Sequence, residues 1–225
     1  MIPLQPLHND LQHFKHPPNN NNIDWLAPCF DIQSNVVNIV GILHFPFSLN
    51  MNTFHLNWKN AVYDKDKIPC VRIPLNFNKL NVVALVYQSG KVVLTGINQL
   101  QLARKAWDTI LLFYHNFFPL NNIPNFNFHI TNVVATADFK QHIDLHDLPN
   151  KFPSIKFNAE LFPAAILLTK FFTRKHTTVL IYANGKIVIA GAKKLFIAHF
   201  IAQFTAAVIL KHLTIDRFNM HFTIQ

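Results

Sequence analysis

Glycine is scarce, with five in 225 residues. That leaves little material for the glycine-rich loops that cradle phosphates in nucleotide enzymes, and no nucleophile, base and acid stand together as a triad. An enzyme is not expected. Cysteine is scarcer still: Cys29 and Cys70 supply neither a disulfide framework nor metal-ligand spacing, so a reducing intracellular setting is expected, with no metal and no cofactor. Acidic residues are few, 11 Asp and Glu against 20 Lys and Arg, a formal charge of +9. Such a balance favours a polyanionic partner, either nucleic acid or an anionic membrane surface. A membrane-spanning run is missing as well. The nearest candidate, Leu195 to Leu210, falls short of about 20 residues and carries His199, Gln203 and Thr205, so it reads as a buried helix. The N-terminus has no basic segment followed by an apolar one, as a secretory signal would.

Hydrophobic residues make up 50% of the chain, enough for a substantial core. Residues 1–33 are different: rich in Pro and Asn and weak in periodicity, they read as a flexible extension. Beyond them the chain repeats itself. "NIV" at Asn38 returns as "NVV" at Asn132, "KIPCV" at Lys67 returns as "LFPAA" at Leu161, and "VALVYQSGKVVLTG" at Val83 returns as "TVLIYANGKIVIAG" at Thr178. The offsets are far longer than the roughly 20 to 50 residues of solenoid repeats, so two equivalent halves are expected, at 34–122 and at 123–225 with a short tail.

Each half reads as strand, short helix, three strands and long helix. Ser89-Gly90 and Asn184-Gly185 sit between apolar runs and predict antiparallel hairpins with two-residue turns. In a half-exposed strand apolar and polar residues alternate, yet Val83, Leu85 and Tyr87 share one face while Ala84 and Val86 share the other. A sheet covered on both sides is the ordinary explanation. About four helices for some ten short strands favour the other: one face covered, the second left open as an apolar interaction surface.

The margins of that surface carry Asn38 and Asn132 at equivalent places, Ile68-Pro69 and Phe162-Pro163 at equivalent strand starts, and Lys91 and Lys186 just after the turn glycines. The DNA minor groove at A·T pairs displays only acceptors, which suits a few amide donors among apolar contacts, and a guanine amino group would collide there. Bulky side chains can wedge between base steps, and lysines can neutralise phosphates.

At these residues the chain resembles the TATA-box-binding protein family, from about Ser34 to Leu213. "SGKVVLTG", "AELFP" at Ala159, "NAVY" at Asn60 and the two Asn-Ile/Val-Val starts each fall at the family's place in each half. The resemblance implies an α+β saddle: two pseudo-symmetric repeats forming a curved ten-stranded antiparallel sheet, with four helices on the convex face. The family is itself the standard example of minor-groove kinking, and that picture is inherited from it. By position, Asn38 and Asn132 match its amide donors. Val40, Val134, Val93, Val188, Leu85 and Leu180 match its apolar groove contacts, and Thr95 a central base contact. Ile68 with Tyr87, and Phe162 with Tyr182, match its two wedge pairs. Lys59, Lys67, Lys91, Lys186 and Lys193 match phosphate neighbours. Glu160 and Leu161 match the loop that meets the B-type general initiation factor. The implied partners are TATA-like, AT-rich double-stranded DNA, the A- and B-type general transcription factors and the RNA polymerase machinery, in the nucleus and with no membrane. A homodimer could bury the face when DNA is absent. Four departures stand out: Ile68 for an aromatic wedge, a hydroxyl on each of Tyr87 and Tyr182, and Ala190 at the place equivalent to Thr95. They leave room for a TBP-like paralogue or interaction module that has lost TATA specificity and acts through proteins. His142 and His146, four apart, read as part of a surface helix and not as zinc ligands.

Overall fold

The structure, a computed structural model, describes residues 32–64, 66, 69–77, 80–118, 124–170 and 176–222, with side chains to residue 209. The extension up to residue 31 lies outside the described residues, as do Lys67 and Ile68. Ten strands form one antiparallel sheet. In chain order the elements are β1 (Ser34–His44), α1 (Met51–Asn57), β2 (Val62–Tyr63), β3 (Cys70–Phe77), β4 (Leu80–Tyr87), β5 (Lys91–Ile97) and α2 (Leu100–Phe117). There follow β6 (His129–Asp138), α3 (Leu148–Lys151), β7 (Ile155–Lys156), β8 (Ala164–Thr169), β9 (Thr177–Tyr182), β10 (Lys186–Ala192) and α4 (Leu195–Phe222). The sheet and the four helices among the described residues are the architecture that the resemblance implies.

Contacts divide the chain into two compact units, Val36–Val134 and Ala135 onward, the latter taking in the start of β1 up to Asn35. In the first unit the strands lie in the order β2-β3-β4-β5-β1; β7, β8, β9, β10 and β6 repeat that order. The duplication of sequence is therefore a duplication of pairing.

Alternation decides which face is covered. In β4, Val82, Ala84 and Val86 are fully buried while Val83, Leu85 and Tyr87 are half-buried. Ile39 and Leu43 of β1, Val71 and Ile73 of β3, and Val92 and Leu94 of β5 join the buried set. Helix α2 packs on β5, and α1 on β3. The stripe Leu102, Ala103, Ala106, Trp107, Ile110 and Tyr114 recurs at helical spacing and is buried. Trp107 packs tilted against Phe45, at 4.8 Å between ring centroids. In the second unit α4 packs on β10 and buries Ile197, Ala198, Ile201 and Ala202, with Ile187 and Ile189 on the strand. No helix among the described residues is long and apolar enough to cross a membrane.

The hairpins differ from the expected two-residue turns. Gly90 and Gly185 have φ of +84°, whereas Ser89 and Asn184 do not take positive φ. Each glycine N–H donates to the carbonyl of Tyr87 or Tyr182, three residues back, at 3.0 Å. The loops thus hold three residues and close on a left-handed glycine, which spares Asn184 that conformation. In return the Gly90 and Gly185 carbonyls accept from Phe45 and Phe139, each at 2.9 Å, tying the end of β1 or β6 to the turn.

The helix expected around His142 and His146 is also absent. The Ile143 N–H donates to Ala183 at 2.9 Å, and Asp144 Oδ1 accepts from the His146 N–H at 2.9 Å, so both amides are committed outside a helix. Only Leu148–Lys151 makes a helical turn. The last helix, by contrast, runs on to Phe222, beyond the run from Leu195 to Leu210 that reads as a buried helix.

Candidate nucleic-acid interface

The uncovered face of the first unit carries Asn38, Val40 and Ile42 on β1, Val93 and Thr95 on β5, and Leu85 and Tyr87 on β4, all half-buried. Its centre is organised by a bulge. Ile39 pairs with Ile97 but Gly41 pairs with Leu94, so β5 holds one extra residue. Gly96, at φ +81°, absorbs the irregularity. A Cβ there would lie 2.3 Å from the Asn81 carbonyl oxygen, so glycine is required. The bulge frees the Gly96 N–H, which donates to Asn38 Oδ1 at 2.8 Å. That bond fixes the carboxamide: its oxygen is committed to the backbone, and its NH2 donors are left toward Thr95 Oγ1 at 3.5 Å and the open face.

Tyr87 lies opposite Cys70 across β3 and β4, and the Lys91 ammonium sits 5.4 Å from its ring centroid. Burial pushes the Cys70 thiol up, partly opposed by the neighbouring Tyr87 hydroxyl. Burial also raises the Tyr87 hydroxyl, and the neighbouring Cys70 thiol acts the same way. Both therefore stay neutral at ordinary pH. Lys59 is exposed in the turn after α1, beside Asn60 at φ +63°.

Asn132, half-buried on β6, occupies the place of Asn38 one repeat later, and Val134 follows it as Val40 follows Asn38. In the second unit Leu180, Tyr182 and Val188 are half-buried on the uncovered face, Lys193 is half-buried and Lys186 is exposed. A recess of about 840 Å3 is lined by Thr136, Asp138, Tyr182, Lys186 and Val188, among others. Asp138 is the one acidic group among these five, and Lys140 faces it at 3.8 Å. Ala190 pairs with Thr178, so a neighbouring strand supplies a hydroxyl at this level where β10 has none. Before β8 the chain turns on Asn158, whose Oδ1 accepts from Glu160 at 3.0 Å and whose carbonyl accepts from Leu161 and Phe162. The turn thrusts Leu161 out at 82% exposure, with Phe162 at 39%. No group of three or more metal-ligating side chains occurs among the described residues.

The family model of the transcription factor TFIID or TATA-binding protein matches residues 33–114 and 127–212, once in each repeat. The chain belongs to the TATA-binding protein family. This is a family of non-enzymatic, DNA-binding transcription factors. Similar relatives include the TATA-box-binding protein-like 1 of Entamoeba histolytica, 30% identical over 86% of this chain and 87% of its own. Another is the TATA-box-binding protein of Aeropyrum pernix, 28% identical over 70% of this chain and 75% of its own. The solved TATA-binding protein of Methanococcus jannaschii shares the fold at a TM-score of 0.70 and 24% identity, over 80% of this chain and 99% of that one.

Two features of the face escaped the sequence. The bulge that aims Asn38 is signalled only by Thr95-Gly96 in a strand otherwise free of glycine. Exposed cations on β3 and β7 give no signal without strand register.

Proposed function

We propose that the chain binds TATA-like, AT-rich duplex DNA through its minor groove, bends it, and recruits other initiation factors in the nucleus. The observation that carries this reading is the half-open apolar face in each unit, with Asn38 oriented as a donor at the centre of one of them. Acceptor-only A·T edges suit those donors, and apolar neighbours have no use for a guanine amino group. The wedges are Tyr87 with Ile68 and Tyr182 with Phe162; Lys59, Lys67, Lys91, Lys186 and Lys193 meet phosphates. Glu160 and Leu161 form the contact for the B-type factor, a role to which the exposure of Leu161 is suited. The A-type factor and polymerase machinery complete the set of partners, and in the absence of DNA a second copy covers the face.

Ile68 in place of an aromatic wedge and Ala190 at the place equivalent to Thr95 favour a second reading in which TATA preference is relaxed as in a TBP-like paralogue. Bending tests the first. In a TATA duplex labelled at both ends, energy transfer should rise on binding, and the kink at the Ile68 and Tyr87 end should be the shallower, because an aliphatic wedge stacks less well on a base. Binding without a change in end-to-end distance would remove bending from the function.

A further inference from the structure

Cross-strand register turns the open face of each unit into rows. In the first unit Val93, Leu85, Arg72 and Val62 lie side by side across β5, β4, β3 and β2. The corresponding row of the second unit is Val188, Leu180, Ile166 and Lys156, across β10, β9, β8 and β7. Both rows begin apolar on the inner strand and carry a single cation in the outer half: Arg72 in third place, Lys156 in fourth.

Both cations are exposed, and their chain neighbours are buried on the helix side: Val71 and Ile73 around Arg72, Ile155 before Lys156. Strand alternation therefore puts Arg72 and Lys156 on the uncovered face. Among the described residues neither is paired with a carboxylate. Strands lie about 4.8 Å apart, so the cation comes about 10 Å from Val93 in one row and about 14 Å from Val188 in the other.

We propose that Arg72 and Lys156 contact backbone phosphates and mark the outer limits of the footprint on duplex DNA. The proposal rests on the DNA-binding reading above. Apolar side chains suit the groove floor, and the phosphates stand on its rims, where a cation at the end of an apolar strip meets them. Arg72 can hold a phosphate with two parallel N–H bonds, while Lys156 acts as a point charge. The apolar strip is one strand longer in the second unit, so the footprints of the two units are unequal.

The test is a salt series on the full chain with a TATA duplex. Arg72→Gln and Lys156→Gln should each reduce the slope of log Kobs against log salt by about one unit, and the double variant by about two. Preference for TATA over a GC-substituted duplex should stay within about twofold, since phosphates carry no sequence. Lys105→Gln on exposed α2 should leave the slope alone. Phosphate-ethylation interference should lose one outer position per variant. Wild-type slopes in both single variants would overturn the proposal, as would a collapse of TATA preference at unchanged slope, which would mean base contact. If the wild-type chain does not bind the TATA duplex, the DNA-binding reading itself has failed and this proposal with it.

Discussion

Leu180→Glu is expected to leave the fold intact and to lower affinity for a TATA duplex by about a hundredfold or more, equivalent to roughly 2.7 kcal/mol. Leu180 is half-buried on the uncovered face between Val188 and Ile166, whereas its neighbours Val179 and Ile181 are fully buried on the other. In the free monomer the new carboxylate points to water. Against a groove it must be desolvated without a partner, among phosphates of its own sign, and an uncompensated buried charge costs several kcal/mol. Leu180→Ala loses only some apolar contact and should weaken binding far less, by about 1 kcal/mol. Fluorescence anisotropy with a labelled duplex, beside a melting curve for each variant, separates binding from folding. A folded Leu180→Glu chain that binds as the wild type does would remove this face from the interface.

Gly185→Ala should destabilise the protein by about 3 kcal/mol, a fall of about 6 to 12 °C in Tm. Two terms add. The residue sits at φ +84°, where an L side chain costs about 1–2 kcal/mol. Its Cβ would also lie 2.2 Å from the Gln141 carbonyl oxygen. Moving that backbone endangers the bonds from Phe139 to Gly185 and from Ile143 to Ala183, each worth about 1 kcal/mol. Gly90→Ala meets the same conditions, with the Phe47 and Phe45 carbonyl oxygens at 2.5 and 2.6 Å. Gly191→Ala should be the mildest of the three, because the nearest atom to its Cβ, the His176 carbonyl oxygen, is 3.1 Å away. Thermal melts of the three variants check the ranking. Equal losses at Gly191 and Gly185 would mean that backbone conformation, and not crowding, governs these turns.

The legible parts of the fold were those encoded by spacing along one strand. Val83, Leu85 and Tyr87 separated from Ala84 and Val86 by alternation alone, and the duplicated hairpins disclosed a duplicated sheet. Features that depend on two distant segments were not legible. Asn38 could be named a donor, but its orientation comes from the Gly96 N–H, 58 residues away and released by a bulge. That Tyr87 lies opposite Cys70 of β3 is likewise set by register and not by either strand alone. The segment around His142 has helical spacing, yet the Ile143 amide is bound to Ala183 in the turn between β9 and β10, a competition that periodicity does not register. Arg72 and Lys156 look like ordinary surface charges until register sets each beside an apolar row.

The most direct measurement compares three duplexes at one fixed salt concentration: a TATA site, the same site with A·T replaced by I·C, and the site with A·T replaced by G·C. Inosine lacks the guanine amino group, so I·C keeps the minor-groove pattern of A·T while its major groove resembles that of G·C. Minor-groove binding through the open apolar faces predicts that I·C is held within a few-fold of TATA, while G·C falls by about a hundredfold. Equal weakness for I·C and G·C would place recognition in the major groove and contradict it.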